Sequence, residues 1–147
     1  MGTFAACDKP NNTNDQEMMG GPDGLPAVQI EATVMPPNNL AFQINIPAGH
    51  HAYLNSGKEN NFIPISFDWQ ALITKGILDA APKSIQSPAG DLDTENQVHV
   101  LRGSVSYLFH SSANDKLKGE SIAIESQLCN DQSGVCYRPA KQNITIE

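Results

Sequence analysis

The part of this sequence best suited to chemistry is the cysteine pair in "SQLCNDQSGVCYRPAKQ". Cys129 and Cys136 stand at the two ends of a small polar loop, and the third cysteine, Cys7, lies far away near the N-terminus. The two neighbours are therefore the natural couple. Two sulfurs in this arrangement could form a structural cross-link, half of a metal site or a redox-active dithiol. No constellation of His, Asp and Ser elsewhere in the chain competes with them.

A structural cross-link is the plainest interpretation of the pair. In the chain-entropy model, closing so short a loop stabilises the folded state by roughly 2–3 kcal/mol. A cross-link between distant strands would contribute more, as in antibody domains. The local position of the pair therefore leaves a staple and a redox pair about equally favoured.

A metal site is the weaker alternative. Structural zinc is usually bound by four N or S ligands, with cysteines two to four residues apart. Six residues separate Cys129 from Cys136, and the histidines are scattered along the chain at positions 50, 51, 99 and 110. Neighbours such as His50 and His51 would point to opposite faces of a strand. We therefore expect no metal and no cofactor beyond a redox-active disulfide.

For a redox pair, one sulfur must be reachable and able to ionise, because the thiolate is the attacking species. Arg138 and Lys141 are the nearest cations along the chain, and Asp131 is a neighbouring anion that would oppose ionisation. The sequence therefore does not fix how reactive the thiols are.

The elements that must position the pair are short and strand-like. Apolar residues alternate in "VQIEATV" and "LAFQINI", which are separated by the turn "MPPNN". Further runs of this kind are "FIPISF", "QVHVL", "VSYLF", "SIAIESQL" and "NITIE". Pro64 favours an edge position or a bulge for its run, and "DWQALITKGIL" is long enough for a short helix. Many short strands between turns, without a long amphipathic helix, predict an all-β sandwich.

The cysteines fall at the neck of a predicted hairpin. "SIAIESQL" places Ile122, Ile124 and Leu128 inward before Cys129, and the returning "KQNITIE" places Ile144 and Ile146 inward. Opposed residues of antiparallel strands have Cβ atoms about 4.5–5.5 Å apart, close to the distance in a disulfide. We therefore expect the two sulfurs to face each other.

Composition limits the function classes. The chain has 147 residues, of which 39% are hydrophobic and 17% charged, as expected for one folded domain. Its net charge of -7 argues against nucleic-acid binding, which depends on Lys and Arg. No apolar run has the roughly 20 residues of a membrane helix. We expect a monomer that does not itself span a membrane.

The first 26 residues form a predicted flexible leader, because they are rich in Asn, Asp, Gly and Pro and show no periodicity. Within it, "FAAC" ends at Cys7 like a bacterial lipoprotein signal, whose cysteine becomes lipidated. The alternatives are an unpaired thiol in a loose tail, or a segment introduced in cloning. Residues 27–147 are predicted to form the folded domain.

Three segments resemble one known family, the N-terminal periplasmic domain of the thiol:disulfide interchange protein DsbD. "CNDQSGVCYRP" is similar to the family's active-site hairpin, in which two cysteines flank a loop and are followed by Tyr, any residue and Pro. "IPAGHHAYLNSG" is similar to a segment ahead of an extended strand, and "LDTENQVHVLRGSVSYLF" resembles the family's cap loop and the strand after it. The likeness extends over residues 28–147.

The resemblance implies an immunoglobulin-like sandwich with a cysteine-bearing hairpin and a cap loop. It implies an enzyme that exchanges thiols and disulfides in the bacterial periplasm. Such a domain takes reducing equivalents from a thioredoxin-like donor domain and passes them to periplasmic thiol oxidoreductases, including those of cytochrome c biogenesis. A lipidated Cys7, or transmembrane helices after Glu147, would tether it to a membrane.

Matching positions carry the family's roles over to this chain. Cys136 corresponds to the cysteine that forms mixed disulfides, and Cys129 to the one that resolves them. The residues expected around them and in the cap are Tyr53, His51, Leu92, Asp93, Tyr137 and Pro139.

Two features depart from the family pattern. The loop between the cysteines is one residue longer, and the cap of residues 91–97 has Leu92 where the family has a Phe-Tyr pair. We therefore expect weaker shielding of the sulfurs, or shielding by His51 or Tyr53. The rival hypothesis for the whole chain is a non-enzymatic immunoglobulin-like interaction module of an exported protein, in which the disulfide is only structural.

Overall fold

The computed structural model describes residues 25–147. The predicted leader, with the proposed lipidation of Cys7, lies outside these residues except for its last two positions. The boundary of the folded domain at residue 27 therefore stays a prediction.

The described chain forms short strands joined by turns, with two helices of about one turn each. The strands are β1 (Gln29–Met35), β2 (Asn39–Asn45), β3 (His50–Tyr53), β4 (Ser66–Asp68), β5 (Lys83–Gln86), β6 (Asp91–Asp93), β7 (Val98–Leu101), β8 (Ser104–His110), β9 (Ser121–Ser126), β10 (Cys129–Asn130) and β11 (Ala140–Thr145). The helices are α1 (Gln70–Thr74), inside the segment where a helix was one option, and α2 (Asn114–Leu117). Neither is long and apolar enough to cross a membrane.

The strands pair in three antiparallel sheets. Their orders are β1-β2-β8-β5, β11-β9-β4 and β10-β3-β7-β6. β4, which follows Pro64, takes the edge position that its proline predicted.

The first two sheets pack face to face around one apolar core. The strand alternation produces this core, because Leu40, Phe42 and Ile44 of β2 are fully buried while the residues between them are not. Across the core, Ile122 and Ile124 of β9 are equally buried. The predicted fold class is confirmed as an all-β sandwich, and its immunoglobulin-like character stays a prediction.

The third sheet contributes to two different clusters, one on each face. Ala52 of β3 lies opposite Leu101 of β7, and both are buried in the main core. Tyr53 lies opposite Val100 on the other face, where it forms a small second cluster with Val98 and Cys129. A four-stranded sheet with apolar residues on both faces therefore separates the main core from the cysteine site.

The predicted hairpin is confirmed, and its loop also pairs with a strand of another sheet. β9 and β11 pair continuously from Ser121 opposite Thr145 to Ser126 opposite Ala140, and Cys129 then forms a bridge with Cys136. Before that bridge the chain leaves its sheet, because β10 pairs with β3 of the third sheet. The cysteine loop thus joins two sheets.

Candidate functional site

Cys129 and Cys136 are joined by a disulfide, with their Cα atoms 3.9 Å apart. Their surroundings differ sharply. Cys129 is 1% exposed, whereas Cys136 is exposed to solvent. An incoming thiolate can therefore reach Cys136, and Cys129 would be the sulfur that leaves.

Asn130 organises the loop between the cysteines. Its side-chain oxygen accepts hydrogen bonds from the backbone N–H groups of Gln132 and Ser133, both at 2.9 Å. Its backbone N–H donates to the carbonyl of Val135 at 2.8 Å. Gly134 completes the turn with φ of +74°, a conformation that suits glycine. This local order holds Cys136 opposite Cys129.

Tyr53 brings a hydroxyl to both sulfurs. Its oxygen lies 2.9 Å from Sγ of Cys129 and 3.7 Å from Sγ of Cys136. The phenol is buried, and this desolvation raises its pKa, with a further contribution from the charge of Asp93 and an opposing one from Arg102. Tyr53 is therefore a neutral proton donor or acceptor at the leaving sulfur.

His51 lies beside Tyr53 on the same face of β3, directly opposite Cys129 in the strand pairing. Its Nε2 is 3.1 Å from the Tyr53 hydroxyl, and its Nδ1 is 2.7 Å from a carboxylate oxygen of Asp131. Asp131 in turn accepts a hydrogen bond from Nη2 of Arg102 at 3.0 Å. This hydrogen bond and the one from His51 hold the pKa of Asp131 below its usual range.

This geometry changes the interpretation of Asp131. In the sequence it was an anion that would oppose a thiolate, but in the structure Arg102 and His51 engage its charge. The cation of the site is Arg102, which sequence reasoning missed. It lies next to the turn after β7, within "LDTENQVHVLRGSVSYLF", and nothing in that segment's pattern links it to the cysteine loop.

The aromatic cover of the site comes from Phe62, which sequence reasoning also missed. Its ring lies against that of Tyr53, with centroids 4.6 Å apart. Phe62 sits in the loop between β3 and β4, and the backbone of its neighbour Ile63 donates to the side chain of Gln127 at 3.1 Å. In the sequence Phe62 was only the first residue of the strand-like run "FIPISF", and nothing linked it to the cysteines.

The predicted cap does not supply an apolar lid. Leu92 pairs with His99, and therefore points to the face of the sheet opposite Tyr53 and Cys129. It is also 57% exposed. Asp93 points to the same face as Tyr53, and its charge acts on both Tyr53 and His51. Of the residues expected to shield the sulfurs in place of an apolar lid, Tyr53 contacts buried Cys129, while Cys136 stays exposed.

Of the two predicted site residues that follow Cys136, Tyr137 packs away from this face and Pro139 lies on the surface. The ring of Tyr137 is 5.9 Å from that of His50, and it packs against the main core. Pro139 is exposed one residue before β11 begins. The structure thus brings His51, Tyr53 and Asp93 together around the cysteines, and leaves Leu92, Tyr137 and Pro139 outside.

In residues 25–147 no group of three or more His, Cys, Asp and Glu side chains is placed to hold a metal ion. His50 and His51 point to opposite faces, as strand geometry predicted. The chemistry within reach of this site is that of the disulfide and of the proton-carrying groups around Tyr53.

The fold and site together define a β-sandwich with an asymmetric disulfide, one of whose sulfurs is exposed. Among solved structures, the chain is similar to the DsbD N-terminal domain of Neisseria meningitidis in its reduced form. The TM-score is 0.48 at 17% identity, over 82% of this chain and 85% of that one. It is also similar to the complex of the DsbD and PilB N-terminal domains from the same organism, with TM-score 0.45 and 17% identity over 86% and 90%. No family model and no curated protein matches the sequence.

Proposed function

We propose that this chain is a thiol–disulfide exchange domain whose working part is the Cys129–Cys136 pair. The observation that carries the proposal is the asymmetry of the two sulfurs. Cys136 is exposed, while Cys129 is buried and contacts the hydroxyl of Tyr53 at 2.9 Å. A reachable sulfur backed by a buried partner with a proton donor is the arrangement that exchange requires.

A purely structural role explains less of this geometry. The disulfide closes a loop that backbone and Asn130 hydrogen bonds already hold, so its further contribution to stability is modest. Tyr53 also brings a buried hydroxyl to the sulfurs. A purely structural disulfide would need only apolar side chains packed around it.

The exchange runs in two steps. The Cys136 thiolate attacks one sulfur of the partner's disulfide, forming a mixed disulfide and releasing the partner's other sulfur as a thiolate. The Cys129 thiol then loses its proton and attacks Sγ of Cys136, which releases the partner's second sulfur. This domain becomes oxidised by two electrons, and the partner becomes a dithiol. A donor dithiol regenerates Cys129 and Cys136 by the reverse steps.

The partners and compartment proposed for this chain follow from its sequence resemblance. The donor would be a thioredoxin-like domain, and the acceptors would be periplasmic thiol oxidoreductases, including those that serve cytochrome c biogenesis. The domain would act as a monomer in the bacterial periplasm, tethered through Cys7 or through helices beyond Glu147.

Trapping tests the proposal. A Cys129→Ala variant should accumulate a mixed disulfide between Cys136 and thioredoxin-fold proteins of a periplasmic extract, because the resolving sulfur is gone. Cys136→Ala is the matched control and should trap none of them. The reduction potential of the wild-type pair should lie between about -120 and -270 mV, the range of known oxidoreductases. A potential below about -300 mV, with no trapped partner, would favour the structural disulfide of an interaction module.

A further inference from the structure

A continuous line of polar contacts leads from the surface to the buried sulfur. Arg102 donates to Asp131 at 3.0 Å, Asp131 lies 2.7 Å from Nδ1 of His51, and Nε2 of His51 lies 3.1 Å from the Tyr53 hydroxyl. That hydroxyl is 2.9 Å from Sγ of Cys129. The His51 and Asp131 side chains are 15% and 28% exposed, so the outer end of the line meets solvent.

The carboxylate of Asp131 decides which ring nitrogen of His51 carries hydrogen. A carboxylate accepts hydrogen bonds, so neutral His51 keeps its proton on Nδ1 and presents a lone pair at Nε2. The Tyr53 hydroxyl then donates to His51. When His51 is protonated, Nε2–H donates instead, and Tyr53 is free to donate its hydrogen to Cys129.

We propose that His51 and Asp131 are positioning residues that act through Tyr53 to deliver and remove the proton of Cys129. The inference rests on the proposed exchange function and deepens it, since it assigns the proton path of the buried sulfur. Cys129 needs such a path because it is only 1% exposed. A thiolate leaving or forming there has little water to exchange protons with.

The proton balance holds in both directions. When a donor thiolate attacks Sγ of Cys136, the Cys129–Cys136 bond breaks and the electron pair stays on Sγ of Cys129. Tyr53 gives its proton to that sulfur and takes one from the imidazolium of His51, which becomes neutral. In the resolving step Cys129 gives its proton to Tyr53, Tyr53 gives its own to Nε2 of His51, and Asp131 stabilises the imidazolium that forms.

Several charged groups surround His51 and shape its response to pH. Asp131 contacts it from the cysteine loop, and Asp93 of β6 acts on it through space. Arg102, which follows β7, forms an ion pair with Asp131, and its positive charge offsets the negative charges of Asp131 and Asp93. Asp91 of β6, Tyr53 and Cys129 are further titratable groups on this face. Protonated His51 should therefore favour reduction of the disulfide, and neutral His51 should favour its formation.

The test is the rate at which dithiothreitol reduces the disulfide of the whole chain between pH 5 and 9, measured by rapid acid quench and alkylation. Each rate is divided by the concentration of dithiothreitol thiolate. In wild type this corrected rate should be at least about tenfold higher at pH 5.5 than at pH 8.5, since a positioned general acid typically contributes about 10²–10⁴-fold. In His51→Gln and Tyr53→Phe it should vary less than about twofold.

Two further variants make the result specific. His110→Gln, on the exposed side of β8, should keep the wild-type profile. Asp131→Asn should weaken the acid rise, because the carboxylate that fixes the Nδ1–H form of His51 and stabilises its imidazolium is gone. Asp131 is on the surface loop, so this variant tests the proposal even where a buried substitution disturbs folding. The double variant Tyr53→Phe/His51→Gln should be no slower than the slower single variant.

A His51→Gln profile that superimposes on wild type, or that is lowered equally at every pH, would overturn the proposal. Because dithiothreitol needs no protein partner, this result is separate from trapping. A wild-type acid rise that depends on His51, together with a failure to trap partners, would support the proton path and refute the exchange function. Successful trapping of partners, together with a corrected reduction rate that does not change with pH, would support the exchange function and refute the proton path.

Discussion

The ring of Phe62 packs in a tilted arrangement against the ring of Tyr53, with centroids 4.6 Å apart and an interplanar angle of 31°. This contact places an apolar side chain behind the hydroxyl that touches both sulfurs. The backbone at Gly57 lies close to the Phe62 ring. Glycine suits this position because a Cβ there would lie 3.1 Å from that ring, and because the φ of Gly57 is +80°. The loop between β3 and β4 therefore supplies an apolar cover for Tyr53, whose hydroxyl lies at the sulfurs.

Replacing this aromatic side chain should loosen the site. Phe62→Ala should lower the free energy of unfolding by about 2 kcal/mol, less than a fully buried Phe, and should speed reduction by dithiothreitol at pH 8.5 several-fold. Urea unfolding and alkylation kinetics measure the two effects. Phe67→Ala is the matched control, because Phe67 is also partly buried but packs in the main core. It should cost comparable stability and leave the reduction rate unchanged, and equal rate changes in both variants would refute the covering role.

The burial of the two cysteines predicts their order of reaction in the reduced protein. Iodoacetamide should modify Cys136 at least about tenfold faster than Cys129 at pH 8, because attack requires access as well as a thiolate. Peptide mapping by mass spectrometry separates the two sites and Cys7. In 8 M urea the two rates should become similar. Faster modification of Cys129 in the folded protein would reverse the assigned roles.

Tyr107 predicts an alkaline limit to stability. Its hydroxyl is buried and has no hydrogen-bond partner among the described residues, and burial raises its pKa to about 12. A group with a raised folded pKa contributes stability that is present below its unfolded pKa of about 10 and is lost as pH rises through 12. Tyr107→Phe should remove this loss and gain about 1 kcal/mol at pH 7, since no unpaired hydroxyl stays buried. Urea unfolding at pH 7 and between pH 10 and 12 measures both effects, and equal losses in the two proteins would contradict the first.

The lowered pKa of Asp131 predicts a loss of stability at acid pH, opposite to the alkaline loss expected from Tyr107. The hydrogen bonds from Arg102 and His51 hold its pKa below the ordinary value. Its contribution to stability is therefore present above the unfolded pKa of about 3.9 and is lost as pH falls through the folded one. The stability difference between wild type and Asp131→Asn should shrink as pH is lowered from 5 to 2, measured by urea unfolding. Arg102→Gln should show a smaller loss of the same kind, and a difference independent of pH would contradict the assignment.

Much of the fold was predictable from local pattern. The alternation in residues 28–46 predicted which side chains of β1 and β2 face the core, because a strand turns successive side chains to opposite faces. The same rule identified Ile122 and Ile124, and it predicted that His50 and His51 would not share a face. The bridge between Cys129 and Cys136 was predictable because both cysteines lie at the neck of one hairpin.

The sequence by itself determined the sandwich and the sulfur pair, and its family resemblance placed Tyr53 and His51 nearby. Only the tertiary structure decided that Cys129 is the buried sulfur, that Arg102 engages Asp131 and that Phe62 covers Tyr53 while Leu92 points away from the sulfurs. These relationships depend on the pairing of β10 with β3 and on the path of the loop after Tyr53. The sequence could not predict these contacts because the alternation of side chains along a strand determines only which face each residue takes, over a few neighbouring positions. The contacts of Arg102 and Phe62 join segments far apart in the chain, where only the packing of sheets and loops sets the distance.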